Sequence, residues 1–194
     1  FPFGKGWALV RFHAQMTEPQ VQPIIGFPAP WTASTNGTVV APVVRVEIAG
    51  EADFERYRGK LDGAIVLPQP ERPVGLLEGP VVHRMGPADL AEARTPPPAP
   101  RPASPDAAER LAAQRQLAAR TARFFKDEGV VAVFNRGADT AFATAGVSVS
   151  ARLQRPDGGT VFPTTTGSRG ADAGTAVPIV TLAVEQYNRM VRLL

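Results

Sequence analysis

Few of the residue types that carry catalysis are present in this chain of 194 residues. It has two histidines, His13 and His83, far apart and with no metal-ligand spacing around either, and it has no cysteine. A zinc site draws three or four His, Cys, Asp or Glu ligands from short, regular spacings, such as two histidines one helical turn apart. Neither that pattern nor the Gly-x-Ser-x-Gly elbow that exposes a serine nucleophile occurs. Gly4-Lys5-Gly6 and Gly167-Ser168-Arg169-Gly170 set glycine beside a cation, but both are too short and wrongly placed to open a phosphate-binding helix. What remains is binding chemistry. Arg136 and Arg169 fall in the stretches Asn135–Thr140 and Thr164–Thr175, expected as loops after buried strands. A forked guanidinium there suits a peptide carboxylate, and a solvated arginine is the bland alternative for each.

The elements that position these loops follow from apolar patterning. Tyr57-Arg58-Gly59-Lys60-Leu61-Asp62-Gly63-Ala64-Ile65-Val66-Leu67 reads as the end of a short helix (Glu51–Tyr57), two glycine turns, and a strand apolar on both faces. Ser104-Pro105-Asp106 places a capping hydroxyl, proline and an acid in the order that starts a helix, and Gly129 ends it. Leu111, Ala118 and Phe125, with Leu117 and Phe124, are its expected buried stripe. Val130–Phe134 follows as a second buried strand, so the pair of strands and the helix form a parallel crossover. Ala176–Leu182 is a further strand. Tyr187, Met190, Val191 and Leu194 then recur at the spacing of an amphipathic helix.

Other stretches read as edges and connections. Trp7–Met16 suggests a strand or short helix, Gln22–Trp31 a proline-rich arm or edge, and Val39–Ile48 a strand pair or one bent strand. Asn36-Gly37 is a turn, although with Thr38 it also matches a glycosylation acceptor. Residues 68 to 105 hold eleven of the twenty prolines and read as a polyproline-type surface spacer. Val147–Leu153 and Thr160–Thr164 flank a Gly158-Gly159 turn as a hairpin.

Bulk composition sets broad limits. A hydrophobic content of 44% with 20% charged residues is that of a globular protein. The net charge of +3 is too small to argue for nucleic acid, and no apolar run reaches the roughly 20 residues that span a bilayer. The lack of cysteine excludes a disulfide scaffold and is compatible with export. Phe1 begins the chain without a charged-then-apolar leader, the expectation for a mature form or an excised fragment.

Three segments in order resemble the protease-associated (PA) domain family. They are Phe54 to Leu67 with its glycine turns, Lys126-Asp127-Glu128-Gly129-Val130-Val131-Ala132-Val133-Phe134, and Val177-Pro178-Ile179-Val180 through Tyr187 to Leu194. Ala64 stands where lysine is common in the family. The resemblance covers roughly residues 40–194, and more narrowly the chain looks like the PA insert of exported bacterial zinc peptidases related to glutamate carboxypeptidase and the transferrin receptor. It implies an α+β, β-rich fold: a PA-type open barrel or sandwich flanked by a few helices, with the proline-rich insertion at 68–105 and an arm at 1–39. It also implies a non-catalytic module that shapes substrate access or contacts peptides and proteins. Zinc and its ligands would lie in a catalytic domain outside this sequence, with that domain or a peptide as partner, and the location would be periplasmic or extracellular. The alternative is a stand-alone secreted module that binds peptide or carbohydrate without any peptidase.

Overall fold

The computed structural model describes residues 4–74, 86–94, 104–136 and 166–194. Its strands are β1 (Gln15–Met16), β2 (Gln22–Pro23), β3 (Gly26–Pro28), β4 (Val43–Arg45), β5 (Ile65–Leu67), β6 (Ala132–Arg136) and β7 (Ile179–Leu182). Its helices are α1 (Ala52–Tyr57), α2 (Pro87–Arg94), α3 (Pro105–Asp127) and α4 (Val184–Leu193). β1 and β2 form a small antiparallel ribbon, and the other five strands form one sheet in the order β3-β7-β6-β5-β4. Four of the five run parallel, and β3 closes one edge antiparallel to β7. The fold is a mixed α and β one, built on this five-stranded sheet with few helices.

The three apolar runs singled out above are neighbours in this sheet. Ile65 pairs with Ala132, and Val133 pairs with Ile179. A parallel pair needs a long crossover, and α1 and α3 supply two of them, joining β4 to β5 and β5 to β6. Both faces of the central strands are covered, which explains why the runs are apolar without alternation. On one face Leu67, Phe134, Val180 and Leu182 pack with Tyr187, Met190 and Val191 of α4. On the other Val66 and Val133 pack with Leu61, Phe125 and Val130. Gly59, Gly63 and Gly129 all adopt left-handed backbone, φ +69°, +68° and +78°, so the glycine turns are required by geometry.

Several expectations change. The stripe on α3 is buried only at its end: Phe125 is buried, Leu117 and Phe124 are half-buried, and Leu111 and Ala118 are exposed. The reason is length. A helix of 23 residues extends about 34 Å, whereas the five-residue β6 spans about 17 Å, so the first turns of α3 overhang the sheet. α2 forms within the stretch expected to be spacer, and the residues just after β5 are tied down rather than solvated. Asn188 of α4 accepts from the Arg72 N–H (3.0 Å) and donates to its carbonyl (2.6 Å). Trp7–Ala14 has no regular structure, only Val43–Arg45 of Val39–Ile48 is strand, and Leu194 is exposed. The expected hairpin at 147–164 and the proline run at 95–102 lie outside the described residues.

Ser104 caps α3 as its sequence suggests, accepting from the Ala107 N–H at 3.3 Å with Pro105 in the first turn. Ser104→Ala is expected to weaken the first turn by about 1 kcal/mol. Faster hydrogen exchange at Ala107 and Ala108, with exchange at Phe125 unchanged, is the measurement that checks it.

Candidate functional site

A groove of about 590 Å³ runs over β6 and β7 on the face that α3 only partly covers. Val133 and Ile179 form its floor, with Val177 just before β7. One wall is a single face of α3, where Gln114, Leu117, Thr121 and Phe125 recur every three or four residues. The opposite wall is the segment 166–177, which contributes Ser168, Asp172 and Thr175. Asn135, at the end of β6, brings a carboxamide to the groove. Both stretches expected as contact loops, 135–140 and 164–175, therefore border it through their described residues.

The wall formed by 166–177 is fixed by backbone contacts with the N-terminal arm. Gly167 N–H donates to the Pro30 carbonyl (2.8 Å), Gly174 N–H to Trp31 (3.0 Å), and Ala33 N–H to Ala176 (2.9 Å). A Cβ on Gly167 would overlap the Trp31 carbonyl, so only glycine allows this approach. Trp31 itself has φ +59° and donates from Nε1 to the Lys5 carbonyl at 2.7 Å. Its ring lies beneath the Arg169 guanidinium (4.4 Å) and beside Trp7, which also contacts Phe27. The two glycine stretches dismissed as phosphate loops meet here, since Lys5 N–H donates to the Arg169 carbonyl (3.1 Å) and Lys5 Nζ to that of Ala171 (3.3 Å). Their role is to hold the arm against the wall.

Charge is distributed across the groove. Arg123 and Lys126 stand on the α3 side, and Asp172 stands on the other. The Ser168 hydroxyl donates to Asp172 at 2.5 Å and is the main cause that holds its carboxyl below the usual carboxylate range. The Asp172 backbone N–H and the Lys5 charge act in the same direction.

The two arginines proposed from sequence do not converge. Arg169 is exposed and stacked on Trp31, beside the groove wall. Arg136 is half-buried at the end of β6 and alternates with Asn135, which puts it on the α4 face with Phe134. Its N–H donates to Gln69 Oε1 at 2.8 Å, and its charge is felt by Tyr187. His13 is exposed and His83 lies outside the described residues. Among the described residues no three His, Asp or Glu stand together as a metal site, and no helix is long and apolar enough to cross a membrane. The sequence reading included Asn135 and Asp172 only as members of the two expected contact stretches, and it missed Lys126. The signal available for Asn135 was a polar residue two positions beyond Val133 on a strand whose other groove-facing residue is apolar. No family model, curated protein or solved structure matches the chain.

Proposed function

We propose that this chain is a protease-associated-type module: a non-catalytic part of an exported zinc-dependent exopeptidase that shapes substrate access or contacts peptides and proteins. One observation carries the reading. The three segments that resemble the family lie side by side as β5, β6 and β7, each with its glycine turn or following helix in place. That reading requires the three segments to form one structural unit, and their pairing in a single sheet meets the requirement. In this reading the sheet closes as a PA-type open barrel or sandwich, the catalytic domain is the partner, and zinc with its ligands belongs to that domain. The chain by itself has no enzymatic activity.

A second reading, a stand-alone secreted module for peptide or carbohydrate, draws on the Trp7, Phe27 and Trp31 cluster, since aromatic faces are common at binding surfaces. The coding sequence downstream of Leu194 separates the two. A His-x-Asp zinc motif is expected there, together with zinc-dependent exopeptidase activity in the full protein and none in this chain alone. A stop codon after Leu194, or activity in the isolated chain, would sink the first reading.

A further inference from the structure

We propose that the groove between α3 and segment 166–177 binds a short peptide with free ends. This rests on the peptide-contacting reading above and adds a location and a ligand chemistry to it. The argument is charge complementarity across an apolar floor. A free peptide carries a carboxylate at one end, an ammonium at the other, and amides between them. Lys126 on the α3 side matches the carboxylate, beside Arg123, which pairs with Asp127 (3.6 Å), and the Asp172 carboxylate, held by the Ser168 hydroxyl, matches the ammonium. The Asn135 carboxamide offers one acceptor and two donors, the set needed to read a peptide unit in the middle. Val133 and Ile179 beneath it accept an apolar side chain. A volume of about 590 Å³ falls in the range of small-ligand pockets, roughly 300–1,000 Å³.

The groove favours peptide over carbohydrate. A neutral sugar would use these charged groups only as hydrogen-bond partners, without the ion pairs that a peptide's two ends supply, and the aromatic faces on which a sugar ring stacks, Trp7, Phe27 and Trp31, are not among the groove's lining.

The test is a titration of the isotope-labelled chain with the tripeptide glycyl-leucyl-glycine, its C-terminal amide, its N-acetyl form, and a neutral disaccharide. Chemical-shift changes with the free tripeptide are expected to centre on the backbone amides of Lys126, Asn135 and Asp172. Amidating the peptide and the Lys126→Gln variant should each weaken binding by about fivefold, the size of a solvent-exposed ion pair. The two changes together should cost no more than either alone. Lys126 is exposed, so the variant is expected to keep the wild-type fold, which its spectrum verifies. Equal affinity for all three peptide forms, preference for the disaccharide, or shifts clustered elsewhere would overturn the assignment. So would unmoved groove amides at millimolar peptide. A downstream zinc motif without peptide shifts removes the groove and leaves the module reading intact. Peptide shifts with a stop codon after Leu194 do the reverse.

Discussion

Tyr187→Ala is expected to lower the stability of the protein by about 3–5 kcal/mol, the cost of deleting a fully buried aromatic side chain. Tyr187 has no solvent exposure and is the largest fully buried residue among those described. Its ring packs against Leu67, Phe134 and Leu182, and its hydroxyl donates to the Gln69 carbonyl (2.7 Å) and accepts from the Gln69 N–H (2.8 Å). Tyr187→Phe isolates the polar share. It leaves both backbone groups of Gln69 without their partner, at about 1–3 kcal/mol. Urea unfolding of the two variants against wild type gives both numbers. A loss below 1 kcal/mol for Tyr187→Ala would mean that α4 does not dock as described.

The same residue gives stability a pH dependence. Burial pushes the Tyr187 hydroxyl from its ordinary 10.0 up to about 12, against smaller opposing effects of the Gln69 hydrogen bond and the Arg136 and Arg45 charges. The folded state therefore keeps this proton to higher pH than the unfolded chain does. The stabilisation is complete below about pH 10 and is lost as pH rises from about 10 to about 12. Tyr187→Phe is expected to flatten this part of the profile while leaving the acid limb unchanged.

Gly129→Ala is the second large effect, at about 1–3 kcal/mol. Gly129 sits just past α3 with φ +78°, a conformation that strains any residue with a Cβ. An added Cβ would also overlap Asp62 Oδ1 in the turn before β5. Two turns are coupled there: Gly63 N–H donates to the Gly129 carbonyl at 3.0 Å, and Gly59 N–H donates to Glu128 Oε2 at 2.5 Å. The variant should therefore loosen both ends of the β5–α3–β6 crossover. The expected signature is a lower melting temperature with faster exchange at Gly59, Gly63 and Val131 together. An unchanged melting temperature would mean that the Asp62 turn yields freely.

Sequence patterning revealed those parts of the fold whose signals are local. Ile65-Val66-Leu67 is short, apolar and bounded by Gly63 and Pro68, and Ser104-Pro105-Asp106 satisfies a helix start within three residues. The α4 pattern was equally clear except at two positions. Leu194 is exposed because the helix ends before it, and Asn188 is buried because a clamp on Arg72 needs an amide. Local signals could not show how much of α3 would find a sheet beneath it, since that depends on strand lengths elsewhere. Nor could they show the groove, which α3, β6 and segment 166–177 assemble from residues some 60 positions apart. Arg136 falls in a stretch that reads as a loop, yet strand alternation after Phe134 sends it to the α4 face, away from the groove.

β3 and β7 also set a timetable. Phe27 pairs with Thr181, and β7 lies between β3 and the rest of the sheet. A ribosome adds about 5–20 residues per second. The N-terminal edge strand therefore waits roughly 8–30 s after synthesis for its partner to be made. During that interval the Gly26–Pro28 backbone and the apolar side chains of Ile25 and Phe27 are open to any other strand. The prolines at positions 23, 28 and 30 withhold donors from such pairing, so the arm that later closes the sheet is guarded while it waits.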